Sequence, residues 1–204
     1  MPSGLRTGTA ADLELLTEVL FEAFQNDPLI HYMFDGLPDP DAAHRTLAVA
    51  NTRDVWLPHG EVVIREAEQG VMVWSRPHAS AGPSRWDQLR ARKTFFQAVG
   101  LRRGLQLRQD AKRIGPRHPP WPHTEVAFIG VRPASQGRGT GTALLQHAVD
   151  VCDAQQAGMF LETGNPRNLP LYQRSDFVVV DNVRMTRDGP DKWFLWRQPQ
   201  RRAS

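Results

Sequence analysis

Apolar residues at Leu13, Leu16, Leu20 and Phe24 recur at helical spacing. Just before them, Thr9-Ala10-Ala11-Asp12 offers a hydroxyl N-cap with an acid three residues on. A helix is predicted there, preceded by a short strand at Leu5–Thr9 and ended by Asn26-Asp27-Pro28. A second helix is predicted over Ala42–Val55. Glu61–Glu66 and Val71–Trp74 read as strands joined by the turn Ala67-Glu68-Gln69-Gly70. Ser84–Ile114 has helical composition with interruptions near Gly100 and Gly104, and the proline-rich run Gly115–Pro122 excludes regular structure. Glu125–Val131 is the clearest strand. A helix over Gly141–Ala157 follows, with Leu145, Ala148, Val149 and Cys152 on one face and Gly158 as its C-cap. Met159–Thr163, Phe177–Met185 and Trp193–Arg197 complete the strands, with a short helix at Leu169–Arg174. Strand–helix–strand in the middle implies a parallel pair, and hairpins at both ends imply antiparallel edges. The expectation is one mixed α/β sheet with helices. A single domain over 1–204 carries a helical, basic elaboration at about 84–121.

Composition narrows the classes. The 204 residues are 40% hydrophobic and 23% charged, which excludes wholesale disorder. No apolar run reaches the ~20 residues that span a bilayer, and no signal-peptide core opens the chain, so no membrane partner is expected. The lone Cys152 rules out an intrachain disulfide or thiolate cluster, is read as a buried structural thiol, and fits a reducing, cytoplasmic setting. The seven histidines do not pair at ligand spacing with carboxylates, so no metal is expected. The net charge of +3 is concentrated in Arg85–Arg117, where only Asp87 and Asp110 oppose ten basic residues. That stretch is a solvated helical face or an attractor for an anionic partner such as coenzyme phosphates or nucleic acid.

The sharpest signal is Val131-Arg132-Pro133-Ala134-Ser135-Gln136-Gly137-Arg138-Gly139-Thr140-Gly141-Thr142, which follows the best strand and opens a helix. Its alternating glycines have neither the dinucleotide-binding spacing nor the Gly-Lys-Ser/Thr of a Walker loop. The underlying physics is common to both. Amides at a helix start lack partners, the helix dipole makes that end positive, and glycines let an anion approach several N–H groups together. Arg138 adds a positive charge. Without further context, a helix-capping turn that binds nothing explains the glycines equally well.

The segment resembles motif A of the GNAT superfamily of N-acetyltransferases, roughly Val-x-Pro-x-x-Gln/Arg-Gly-x-Gly-x-Gly/Ala. Asn165 through Tyr172 and Arg174-Ser175-Asp176-Phe177 are similar to that family's Asn…Leu-Tyr-x-x-x-Gly-Phe motif. Asp27-Pro28, Pro122-His123 and Leu161-Glu162-Thr163 further resemble puromycin-acetyltransferase-like bacterial members. Asp176 departs from the family's glycine; a left-handed turn is expected there, which Asp tolerates better than most residues. The basic stretch before Gly115 matches no general family element.

The resemblance implies a mostly antiparallel GNAT sheet whose central parallel pair splays. It also implies acetyl-CoA as co-substrate and transfer of its acetyl group to a primary amine through a tetrahedral intermediate. Carried over by position, Ile129, Gly130 and Val131 bond the pantetheine arm. Gln136, Gly137, Arg138, Gly139, Thr140, Gly141 and Thr142 hold the pyrophosphate, and Asn165 contacts the coenzyme or caps a helix. Tyr172 is the general acid for the departing thiolate. Glu125 is the first candidate base, set by period-two alternation on one face with Ala127 and Ile129. His123, Glu162 or a relayed water are the alternatives. The acceptor pocket is expected from the opening helices and Ser84–Trp121. A small-molecule amine is the first expectation; a protein amine, an aminoacyl-tRNA, or a non-catalytic acyl-CoA sensor remain rivals, and a homodimer stays open.

Overall fold

The computed structural model describes residues 4–67, 69–75, 84–115 and 117–200. Glu68 of the expected hairpin turn, Pro116 of the proline-rich connection and Met1–Ser3 lie outside them. The order is β1 (Leu5–Thr7), α1 (Leu13–Phe24), α2 (Pro28–Phe34), α3 (Pro40–Asn51), α4 (Leu57–His59), β2 (Gly60–Arg65), β3 (Gly70–Ser75), α5 (Arg85–Ile114), β4 (Thr124–Val131), α6 (Thr140–Ala154), β5 (Met159–Thr163), α7 (Leu169–Gln173), β6 (Val178–Arg184) and β7 (Asp191–Arg197). The strands form one sheet in the order β1-β2-β3-β4-β5-β7-β6. Only β4·β5 is parallel; the other neighbours are antiparallel.

Each face has its own core. On one, Leu144, Leu145, Ala148, Val149 and Cys152 of α6 pack on Met72, Trp74, Val126, Met159 and Leu161. Burial pushes the Cys152 thiol up to about 11, so it is an inert core residue. On the other face, Leu16, Val19 and Leu20 of α1 cover Val62, Ile64, Val71 and Val73. The helix start predicted from Thr9 is present: the Asp12 carboxylate accepts from the Thr9 amide at 2.8 Å. Asp12 also pairs with Arg6 at 2.6 Å, and that guanidinium holds its carboxyl well below the usual range.

Three local expectations need correction. The second helix ends as α at Asn51 and continues as a π-helical turn over Thr52–Trp56. The break in α5 is at Gly100, whose φ of 76° and ψ of 163° are not helical, whereas Gly104 stays in the helix. Gly104 is needed there because a Cβ would lie 2.6 Å from the Phe96 ring. Gly158 is not the C-cap of α6, which stops at Ala154. Gln156 takes the left-handed conformation at φ 53°, while the Ala157 amide donates to the Cys152 carbonyl at 2.9 Å, a Schellman closure.

Gly158 instead makes room for Trp196: a Cβ there would lie 2.2 Å from the indole. Gly158→Ala is expected to cost about 1–3 kcal/mol of stability, the usual penalty of overpacking. Urea unfolding that matched wild type would reject this role for the glycine.

Candidate active site

The site is organised around the C-terminal half of β4. Its parallel pairing to β5 runs only from Thr124↔Met159 to Val126↔Leu161. β4 continues to Val131 and β5 to Thr163, but they no longer pair with each other. On its far side, β4 remains paired with β3 through Gly70↔Val131. One edge of Ala127–Val131, which contains Ile129, Gly130 and Val131, is therefore open toward β5.

A bulge sets the side-chain directions. Val73 pairs with Phe128 but Trp74 pairs with Val126, so Ala127 is an extra residue in β4. Val126, Ile129 and Val131 face the α6 core, whereas Ala127 and Phe128 pack with the α1 core. A Cβ on Gly130 would meet Leu20 and Ala23 of α1 at 3.1 and 3.3 Å. Strict alternation placed Glu125, Ala127 and Ile129 together; the bulge separates Ile129 from them. Glu125 lies opposite Val126, on the α1 side, and its amide donates to Ser75 Oγ at 2.8 Å.

The glycine-rich loop begins with a 3-10 turn at Pro133–Ser135, and the Gln136 side-chain amide donates back to the Val131 carbonyl at 3.0 Å. Gly137 and Gly139 follow at φ 76° and 79°, and no atom lies within 4 Å of where a Cβ would sit on either. α6 then starts, and its first α-helical bond runs from the Ala143 amide to the Gly139 carbonyl at 2.9 Å. That leaves the Thr140, Gly141 and Thr142 amides as the helix-start donors. The Thr140 hydroxyl is buried without a partner among the described residues. Left-handed glycines, open space and convergent amides fit the pyrophosphate of a coenzyme, with Arg138 exposed beside them. The loop is tied to α1 by Arg132, which pairs with Glu22 and, at 3.4 Å, with Glu18. The i,i+4 spacing of those two glutamates was the available sequence signal for that contact.

Tyr172 of α7 is buried, with 7% exposure. Burial first, and the charge of Asp27 second, raise its phenol above the usual range, so it stays protonated. Asp27 is itself buried as the N-cap of α2, accepting from the Leu29 and Ile30 amides at 2.9 and 3.3 Å. Burial is the main reason that its carboxyl is also raised. Asp27-Pro28, a helix break and a point of family resemblance in the sequence, thus supplies a carboxylate whose charge acts on the phenol. α7 adjoins the loop, since a Cβ on Gly141 would lie 3.6 Å from Leu171. Asn165 caps the turn before α7, accepting from the Arg167 amide at 3.1 Å. Asp176 holds the left-handed turn at φ 63°, and its carboxylate accepts from Gln200 Nε2 at 2.9 Å.

The candidate bases are in unequal settings. Glu162 is ion-paired with Lys192. His123 has Nδ1 2.8 Å from the Trp121 carbonyl, and its ring packs with His118, Phe160 and Trp196. The Glu125 carboxylate makes no ion pair among the described residues.

A cavity of about 580 Å³ opens beside this region, bounded by α2, the start of α3 and the β6–β7 connection. Pro28, Ile30 and Phe34 form apolar wall; Asp35, Asp41 and Asp188 add carboxylates. The wall residue Pro28 directly follows Asp27, whose charge acts on the phenol. The opening helices line this cavity, and α5 contributes no wall residue. It instead props the wall: Phe95, Ala98 and Val99 pack on Phe34, Ala43 and Leu47. Tyr32 Oη donates to Asp110 at 2.6 Å, and Arg103 donates to the Tyr32 and Met33 carbonyls. Among the described residues no cluster of three or more His, Cys, Asp or Glu could hold a metal, and no helix is long and apolar enough to cross a membrane.

Together the splayed strand pair, the loop and α6 define a GNAT-like fold. Residues 104–177 match the acetyltransferase (GNAT) family. A Corynebacterium glutamicum structure described as histone acetyltransferase HPA2 and related acetyltransferase superposes with a TM-score of 0.74, at 23% identity and 98% coverage of both chains. The ribosomal-protein-S18-alanine N-acetyltransferase of Escherichia coli superposes with a TM-score of 0.52, at 14% identity over 98% of this chain and 95% of that one. A mycothiol acetyltransferase of Acidimicrobium ferrooxidans is 28% identical over 169 residues, 76% of this chain and 47% of that protein. The chain thus spans less than half the length of the curated relatives it matches.

Proposed function

We propose that the chain is an acetyl-CoA-dependent N-acetyltransferase acting on a primary amine of a small molecule. The observation that carries this reading is the convergence at one end of β4: an open strand edge, a glycine-lined helix start and a buried, protonated phenol. The backbone of Ile129, Gly130 and Val131 would bond the pantetheine arm, and the amides of Gly137 to Thr142 the pyrophosphate. The neutral amine nitrogen attacks the thioester carbonyl carbon. An N–C bond forms, the C–S electron pair leaves on sulfur, and the Tyr172 hydroxyl supplies the thiolate's proton. Glu125 accepts the amine's proton, directly or through water. The ion pair on Glu162 makes that residue the weaker choice.

Two of the relatives are named for mycothiol rather than for a protein, which favours a small acceptor. The finer likeness to puromycin-acetyltransferase-like members rests on three short segments, of which Asp27-Pro28 reaches the site. For the aminoacyl-tRNA alternative the basic stretch is less available than its composition suggests. Arg103 and Arg113 donate to backbone carbonyls, and Arg117 pairs with Asp181 at 3.0 Å.

The test is calorimetric binding of CoA, followed by thiol release from acetyl-CoA across a panel of amines. Binding without release would favour a sensor; absence of binding would reject the fold-based reading of the loop. Gly139→Val forces a branched side chain into a left-handed position that costs about 1–2 kcal/mol. A fall of about tenfold in CoA affinity is expected, and unchanged affinity would remove Gly139 from the binding loop.

A further inference from the structure

The cavity at α2 has a charge character opposite to that of the chain. The protein is net positive by 3, yet Asp35, Asp41 and Asp188 line this cavity and no Lys or Arg does. Among the described residues none of these carboxylates is in an ion pair. Arg45, the neighbouring cation, lies over the Phe21 ring at 3.6 Å and is not part of the wall.

A second observation points to a ligand. His44 also lines the cavity and is 8% exposed. Its ring is held between Phe21 and Phe34 at 5.0 and 5.4 Å, and its nitrogens make no hydrogen bond among the described residues. Neither nitrogen is among the fully enclosed atoms, so the imidazole faces the cavity and is available to a polar group entering it. Burial lowers its pKa to about 4, which keeps it neutral at physiological pH and leaves the cavity's negative charge uncancelled.

We infer that the cavity takes an acceptor bearing a second protonated amine besides the one that is acylated, and that Asp35, Asp41 and Asp188 hold that cation while the apolar wall takes the intervening carbon chain. This rests on the acetyltransferase reading and names the acceptor class for it. The reacting amine must be neutral to attack, so the carboxylates serve a different nitrogen from the one that reacts. The wall of Pro28, Ile30 and Phe34 suits methylenes between the two. The carboxylates are exposed, so their attraction is moderate and screened by salt.

The experiment compares putrescine with butylamine, which differ only by the second amine, as acceptors for the full chain with acetyl-CoA. Free thiol is the readout, and CoA binding is measured on the same preparation. Putrescine is expected to show about tenfold higher kcat/KM, several weak charge pairs acting together. In the Asp41→Asn/Asp188→Asn double variant the ratio should fall toward one, and Asp35→Asn repeats the test if that variant is unstable. Rising salt should narrow the wild-type ratio. Equal or absent turnover of the two amines with CoA still bound overturns the inference alone, as does a ratio the variants leave intact. Failure to bind CoA overturns the acetyltransferase reading with it.

Discussion

Tyr172→Phe is expected to lower turnover by about a hundredfold, the lower range for loss of a general acid, with acetyl-CoA affinity close to wild type. The substitution removes one hydroxyl and keeps a ring that is buried and packs edge-on to Phe177 at 6.2 Å. The fold should therefore tolerate it. The proton is what changes. In its buried position near Asp27 the phenol is more basic than free tyrosine, so it remains a donor beyond pH ~10, the ordinary tyrosine value. The alkaline limb of the wild-type kcat profile should accordingly lie above that of an ordinary tyrosine. Full activity in the variant would show that another group, or water, protonates the thiolate. A collapse in coenzyme affinity with normal kcat would give the hydroxyl a binding role instead.

The largest stability effect is expected at the other end of the sheet. Arg197 in β7 is 2% exposed and donates to both oxygens of Asp153 at 2.6 and 2.8 Å, and from Nε to the Ser175 carbonyl at 2.9 Å. The pair fastens the last strand to the end of α6 and to the turn after α7, the element that carries Tyr172. Asp153→Ala leaves a guanidinium in the interior with one neutral acceptor, which should cost about 3–5 kcal/mol. Chemical denaturation measures it directly. A loss below about 1 kcal/mol would mean that water reaches Arg197 in the variant. The complementary Arg197→Met should cost less, because Asp153 keeps the Gln200 amide at 2.9 Å and is nearer the surface.

How much could be read from the chain follows from sequence distance. β4, the glycine loop and α6 are contiguous, so spacing alone placed Gly137, Gly139 and the helix start. The left-handed turn at Asp176 was legible for the same reason. The contacts that complete the site join distant segments. Arg132 reaches Glu22 across 110 positions, and the charge of Asp27 comes to act on Tyr172 only after the sheet has formed. The cavity joins residues from Gln25 to His44 with Asp188–Pro190, and no local pattern announces it. The basic stretch looked like a recognition surface because charge is conspicuous in a sequence. Its apolar residues Phe95, Ala98 and Val99, which prop the cavity wall, are not. The misread face of β4 has a similar cause. Alternation is a rule about one strand, and the bulge is visible only against β3.

The extra residue at Ala127 reverses the parity of β4 partway along its length. Before it, even-numbered positions point to α6; after it, odd-numbered ones do. Both ends thereby meet the core they need, while Glu125 and Gly130, an odd and an even position, share the α1 side. Deleting Ala127 would remove the bulge and leave strict alternation, with Glu125, Phe128 and Gly130 still toward α1 and Val126, Ile129 and Val131 still toward α6. What the extra alanine supplies is the bend of a bulge, set just where pairing to β5 stops at Val126.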